Sequence, residues 1–170
     1  MLPEKYRDVA MRIRDLHNAN EHWQTLAGSR YPNWWNEMLT SLVVAADTTD
    51  PDEVEWVSVS VKDDLYKVAM ITTQRLALGK VSGPDKDAAR HSLTVASRSG
   101  VESVKFSSRG SAFGSESFAS WPDIGSMTLR HSTLDEICIP LDEGPMTGSE
   151  RDRLFVLLQG FLGQVGQPSQ

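Results

Sequence analysis

The clearest hydrophobic pattern in the chain runs over residues 54–80, where apolar and polar positions alternate. Val57, Val59 and Val61 are separated by serines, and this period of two is typical of a half-buried β-strand. A turn at Asp63-Asp64 would place apolar residues opposite each other in the pairs Val61–Tyr66, Val59–Val68 and Val57–Met70. Because a one-residue slip would turn one strand's apolar side chains to the other face, the pattern predicts this register strongly.

A second bend at residues 72–74 predicts a third strand beside the first two. With that bend, Leu76 lies opposite Met70 and Leu78 lies opposite Val68. The stretch therefore predicts three antiparallel strands that share one apolar face.

The first predicted helix spans residues 4 to about 27 and carries a narrow apolar stripe. The stripe recurs at spacings of three and four residues and comprises Leu2, Tyr6, Val9, Ile13, Leu16, Asn20 and Trp23. Read as heptads, it places Asn20 at an a position, where a buried Asn can fix the register and oligomeric state of a coiled coil. Three heptads make a short coiled coil, so packing against the protein's own body is favoured over self-association. Asn20 and Trp23 remain candidate partner-binding residues.

A second predicted helix follows Pro32, which suits a first helical turn. Its apolar face is broad and comprises Trp34, Trp35, Met38, Leu39, Leu42, Val43 and Ala46. Adjacent tryptophans can form the centre of a protein interface, so Trp34 and Trp35 join the candidate partner-binding residues. Burial in the core is the favoured alternative, because the whole stripe is apolar and not only its first turn.

The remainder of the chain predicts four more short strands and one last helix. Alternating residues indicate strands near 92–97, 101–107, 127–131 and 137–141, with a bulge or a switch of face near Ser103. Thr147 and Glu150 have the spacing of a capping box. The helix after them has one apolar face, formed by Leu154, Phe155, Leu157, Leu158, Phe161, Leu162 and Val165. The opposite face of that helix carries Val156, Gly160 and Gly163, and such small residues predict a helix covered on both sides.

This order of elements resembles the bacterial pleckstrin-homology-like (PH-like) domains. The most specific match is Ile71-Thr-Thr-Gln-Arg-Leu76, similar to the apolar-Thr-x-x-Arg-Leu turn of that group, and residues 93–95 and 101–104 resemble its later strands. The resemblance implies an α+β fold, a bent antiparallel sheet or barrel of about seven strands with a C-terminal capping helix, here preceded by two N-terminal helices. The implied organisation is a helical extension over residues 1–50, a PH-like domain over 51–166 and a disordered tail over 167–170.

Composition narrows the classes of function. The net charge of -6 and the pI of about 5.2 disfavour nucleic acid as a partner. Cys138 lies within an apolar run, which predicts a buried small hydrophobe, and a single cysteine fits a reducing cytoplasm. The sequence shows no secretory signal and no apolar run of the ~20 residues that a membrane span needs. The expected localisation is cytoplasmic.

The sequence offers no catalytic constellation, so we expect no enzyme, metal or cofactor. His17 and His22 point in different directions on a helix, and His91 and His131 fall on separate strands without a nucleophile motif. Asp63 and Asp64 occupy the first hairpin, where lipid-binding PH domains carry basic residues, and they would repel a phosphoinositide headgroup. The sequence favours a non-enzymatic protein-interaction or assembly module, bacterial or phage, with a protein partner or self-association through the N-terminal helices. The alternatives are a lipid- or small-ligand-binding module and, third, an enzyme of unrecognised type.

Overall fold

The fold is α+β, with two antiparallel sheets and three α-helices in the part of the chain that the structure describes. The computed structural model describes residues 3–19, 31–84, 90–109, 123–142 and 146–165. The helices are α1 (Arg7–Asn18), α2 (Trp35–Ala46) and α3 (Gly148–Val165). The strands are β1 (Val54–Lys62), β2 (Leu65–Thr72), β3 (Arg75–Ser82), β4 (Arg90–Ser97), β5 (Val101–Arg109), β6 (Asp123–His131) and β7 (Ile137–Ile139).

The chain divides into two compact units, Met1–Arg98 and Ser99–Gln170. The first unit contains α1, α2 and the sheet β1-β2-β3-β4, and the second contains the sheet β5-β6-β7 and α3. The predicted α+β class with two N-terminal helices and a C-terminal helix is confirmed, whereas the seven strands form two open sheets and no closed barrel among the described residues. The proposed domain limit at residue 50 stays a prediction, and the predicted tail lies outside the described residues.

The first hairpin has the predicted register. Val61 pairs with Tyr66, Val59 with Val68 and Val57 with Met70. Asp63 and Asp64 form the two-residue turn, with φ angles of 51° and 58°. Positive φ at both positions is the geometry of a type I′ turn, whose twist matches that of the flanking strands.

The predicted register of β3 is wrong by one residue. The turn between β2 and β3 has two residues instead of three, so Ala77 lies opposite Met70, and Leu76 lies opposite Ile71. The Thr72 hydroxyl accepts hydrogen bonds from the backbone N–H groups of Gln74 and Arg75, at 3.2 and 2.9 Å. These local bonds hold the short turn. As a result, Ala77, Gly79 and Val81 share the face of Tyr66 and Val68.

Gly79 lets α2 approach this face closely. A Cβ built on Gly79 would lie 2.6 Å from Val68 Cγ1 and 3.0 Å from Met38 Sδ. The Met38 side chain of α2 thus occupies the space above the glycine, which places the helix against the middle of the sheet.

The core of the first unit lies between α1, α2 and this face of the sheet. Val9 and Ile13 of α1 and Met38 and Leu42 of α2 are fully buried together with Tyr66. Helix α1 contacts β1 and α2, and α2 contacts β2, β3 and β4. The described part of the α1 stripe therefore packs against the protein's own body, as the sequence favoured.

The buried Arg98 links the two edge strands of this sheet. The backbone N–H of Arg98 donates to Gln74 O at 2.8 Å, and its guanidinium donates to Thr72 O at 3.0 Å and to the Glu55 carboxylate. The charge-assisted bond joins the end of β4 to β1 across two intervening strands.

The second unit is built on the β5–β6 pair, against which α3 packs. The predicted bulge near Ser103 is confirmed by a shift of register between Val101 and Ser103. The capping box is also confirmed, because Thr147 N–H donates to Glu150 Oε2 at 2.7 Å and Glu150 N–H donates to Thr147 Oγ1 at 3.3 Å. Leu154, Leu157, Leu158 and Phe161 form the buried face of α3.

Two predictions about side-chain burial in this unit are wrong. Cys138 is exposed, because the period of two in β7 turns Ile137 and Ile139 inward and the residue between them outward. Helix α3 is also less covered than predicted. Leu162 and Val165, which the sequence placed on the core-facing side, are exposed. On the outer face, Val156 and Gly160 are exposed, and a Cβ on Gly163 would meet no atom within 4 Å.

Candidate functional site

Two of the predicted site residues, Trp34 and Trp35, lie in a buried aromatic cluster with His17 and Tyr66. The His17 imidazole lies over the Trp35 indole, with ring centroids 4.0 Å apart, and is hydrogen-bonded through Nε2 to the Tyr66 hydroxyl. Trp34 contacts the Tyr66 ring at a centroid distance of 4.8 Å, and its Nε1–H donates to Pro84 O at 2.7 Å. The cluster thus joins α1, α2 and β2.

Burial sets the ionisation of both polar members of the cluster. Desolvation lowers the pKa of His17 to about 3, against the opposing effect of a hydrogen bond with Asn18. Burial raises the pKa of the Tyr66 hydroxyl well above its ordinary value. Both side chains are therefore neutral at physiological pH. The hydrogen bond between His17 Nε2 and the Tyr66 hydroxyl pairs two polar groups inside an apolar core.

The tryptophans are core residues, as the sequence favoured. The exposed fractions of Trp34 and Trp35 are 5% and 2%, so neither side chain offers surface to a partner in this structure. Asn20 and Trp23, the other two candidate partner-binding residues, lie outside the described residues.

The other described histidines also make local contacts. His91 Nδ1 lies 3.6 Å from Glu37 Oε2, which joins β4 to α2. His131 is buried, and its Nδ1 accepts a hydrogen bond of 3.0 Å from Thr133 N–H. His22 lies outside the described residues. Over residues 3–165, apart from the undescribed gaps, no group of three or more His, Cys, Asp or Glu side chains could hold a metal ion.

The strongest candidate surface is the outer ridge of α3, formed by Val156, Gln159 and Leu162. These residues recur at a spacing of three, which makes consecutive members neighbours on the helix surface. The exposed fractions of Val156 and Leu162 are 65% and 48%. Exposed glycines at 160 and 163 lie beside the ridge and leave the helix backbone accessible.

The outer ridge of α3 is also uncharged. No Asp, Glu, Lys or Arg occurs from Leu154 to Val165, although a solvated helix face normally carries such residues. Contiguous exposed apolar surface on a globular protein is typical of an interaction site. The absence of charged residues is visible in the sequence. There it was interpreted as a sign that the helix is covered on both sides.

The first hairpin carries both acidic and basic side chains. Its turn residues are both acidic, and Lys62 and Lys67 flank them on the strands. Among the described residues, no helix has the length and apolar character that crossing a membrane requires.

Comparison with known proteins gives no relative: the chain matches no family model, no curated protein and no solved structure. The resemblance to PH-like domains consequently depends on the sequence motif and on the order of elements.

Proposed function

We propose that the chain is a non-enzymatic protein-interaction module of PH-like fold, of bacterial or phage origin and acting in the cytoplasm. The observation that carries the proposal is the outer ridge of α3, which exposes Val156 and Leu162 on a stretch of helix without charged residues. The order of four strands, three strands and a final helix supports the PH-like assignment.

The chemistry of the ridge indicates the kind of partner. Two exposed aliphatic side chains beside two glycines give a mainly apolar surface, on which Gln159 is the side chain able to form directional hydrogen bonds. An amphipathic helix that presents its own apolar face matches such a surface, since burial of apolar area drives this mode of association.

The contacts of the histidines support a non-enzymatic role. His17 lies inside the core with a lowered pKa, so it is neutral and shielded from solvent. His131 accepts a backbone hydrogen bond at a strand end. A general base must lie within about 3 Å of the substrate group that it deprotonates. The His17 and His131 rings instead form hydrogen bonds within the fold.

Anionic lipid is disfavoured as the ligand. Asp63 and Asp64 lie at the tip of the first hairpin, and the chain carries a net charge of -6. Both features oppose attraction to an anionic membrane surface. We expect no appreciable sedimentation with phosphoinositide vesicles at physiological ionic strength. Robust sedimentation that is lost on adding salt would instead favour the lipid-binding alternative.

The proposal is tested by capture of partners with matched surface variants, followed by reconstitution with the purified partner. Leu162→Lys places a charge on the outer ridge of α3, and Val44→Lys places the same charge on α2, where Val44 is 72% exposed. A partner that binds the unmodified chain and the Val44→Lys chain but not the Leu162→Lys chain supports the proposal. Equal binding to all three chains overturns the assignment to α3.

A further inference from the structure

Strand β4 is an exposed edge of the first sheet. Within the described residues it pairs only with β3, and it stands last in the order β1-β2-β3-β4. Six of its eight residues are exposed. Because successive residues of a strand point to opposite faces, this exposure extends to both faces of β4.

The two edges of this sheet differ in protection. At the other edge, β1 has a bulge between Val54 and Trp56 and carries charged Glu55 and Lys62. Bulges and charges are the devices by which proteins keep edge strands from pairing with other chains. The centre of β4, residues 92–96, reads Ser-Leu-Thr-Val-Ala and contains no charge and no proline. Arg90 lies at one end of β4, as Glu55 and Lys62 lie near the ends of β1, so the two edges differ in the bulge, which the pairing of β4 with β3 does not have.

The sequence of β4 is complementary to itself. A two-fold axis between antiparallel strands must pass through a residue pair, and an axis at Thr94 places Thr94 opposite its own copy. Leu93 then lies opposite Val95 and Ser92 opposite Ala96, while His91 lies opposite Ser97. Facing threonines and facing aliphatic residues are favourable cross-strand pairs, and no two acidic or two basic side chains meet over residues 91–97. The next pair sets Arg90 opposite Arg98, whose guanidinium is already bonded to Glu55 of its own chain.

We propose that β4 pairs with β4 of a second copy of this chain, antiparallel and centred on Thr94, so that two four-stranded sheets form one continuous sheet. Pairing would cover Val95, which is 44% exposed in the single chain. One strand on each side buries less than the roughly 1,200 Å² of a stable standard interface. The dimer is therefore weak and reversible. This inference is independent of the outer ridge of α3.

Sedimentation equilibrium of the purified full chain tests the proposal. We expect a concentration-dependent monomer–dimer equilibrium for the unmodified chain and for Val44→Lys. Thr94→Lys places two ammonium groups opposite each other at the axis, and we expect it to weaken dimerisation at least tenfold. A chain that stays monomeric at up to about 1 mM, the range of the weakest specific affinities, overturns the second copy as the occupant of the edge. A dimer that Thr94→Lys leaves unchanged also overturns it.

Disulfide trapping tests the register and does not depend on the stability of the lysine variant. In a Cys138→Ser background, Thr94→Cys brings two thiols to directly opposite positions within disulfide reach. Ser92→Cys is the matched control, because its two copies lie four residues apart along the paired strands. Rapid cross-linking of Thr94→Cys alone supports the proposed register. Equal cross-linking of both variants, or cross-linking of neither, contradicts it. Because only purified chain is used, this result is separate from any failure to capture a partner.

Discussion

Helices α2 and α3 both carry more apolar surface than one shallow contact needs. The apolar surface of α2 is buried, whereas part of that of α3 is exposed. The α2 stripe is covered by the sheet on one side and by α1 on another, so Trp35, Met38 and Leu42 are buried. The α3 helix is covered by β5 and β6, whereas its outer ridge stays exposed. The number of apolar residues in a helix therefore does not reveal whether they stabilise the fold or remain available to a partner.

The largest effect should come from truncating the centre of the α2 stripe. We expect Trp35→Ala to lower the free energy of unfolding by about 3–5 kcal/mol, the usual cost of removing a buried aromatic ring. Val44→Ala on the exposed side of the same helix should change it by less than about 0.5 kcal/mol. Urea denaturation of both variants measures the difference. Similar values for the two would show that the α2 stripe is not a structural surface.

The next prediction compares the change in stability on substituting a glycine under α2 with that on substituting a glycine on the outer face of α3. We expect Gly79→Ala to destabilise the fold by about 1–3 kcal/mol, because its Cβ would overlap Val68 and crowd Met38. Gly163→Ala meets open space and should stabilise α3 by up to about 1 kcal/mol through higher helix propensity. Opposite shifts of the melting midpoint are expected, and a loss of stability in Gly163→Ala would mean that the α3 face is covered.

A smaller effect is the dependence of the free energy of unfolding on pH through His17, in the core beneath α2. The pKa of His17 is about 3 in the folded chain and about 6.5 in the unfolded chain, so the unfolded chain binds the additional proton. The stability contributed by neutral His17 is fully present above pH 6.5 and is lost as the pH falls towards 3. We expect the free energy of unfolding to fall by about 1.5–2 kcal/mol between pH 6.5 and 5.

His17→Gln is the control for this pH dependence. Glutamine does not titrate, so the slope between pH 6.5 and 5 should become shallower in the variant than in the unmodified chain. Parallel slopes in the two proteins would contradict the assignment of the effect to His17.

The sequence predicted those elements whose geometry is fixed locally. The β1–β2 register follows from alternation in two strands joined by an unambiguous two-residue turn, and the α3 start follows from Thr147 and Glu150. The β3 register was missed because Thr72 belongs to the strand and uses its hydroxyl to hold the turn, which the residue types alone do not distinguish from a three-residue bend.

Burial was harder to predict than secondary structure. The same alternation that identified β7 also turns Cys138 outward, so this error could have been avoided by applying the period of two. The burial of His17 had a local signal, since it follows Val9 and Ile13 at a spacing of four and so lies on their helix face. Its hydrogen-bond partner had none, because Tyr66 is 49 residues away. The exposure of α3 likewise depends on what the rest of the chain places beside it.

The unfolding free energy of Val156→Lys, measured by urea denaturation, tests most directly the claim that the outer ridge of α3 is unused by the fold and available to a partner. A lysine at an exposed helix position keeps good helix propensity. We therefore expect a value within about 0.5 kcal/mol of the unmodified chain. A loss of more than about 2 kcal/mol would show that Val156 is buried in the folded protein, and would contradict the assignment of Val156 to an exposed surface.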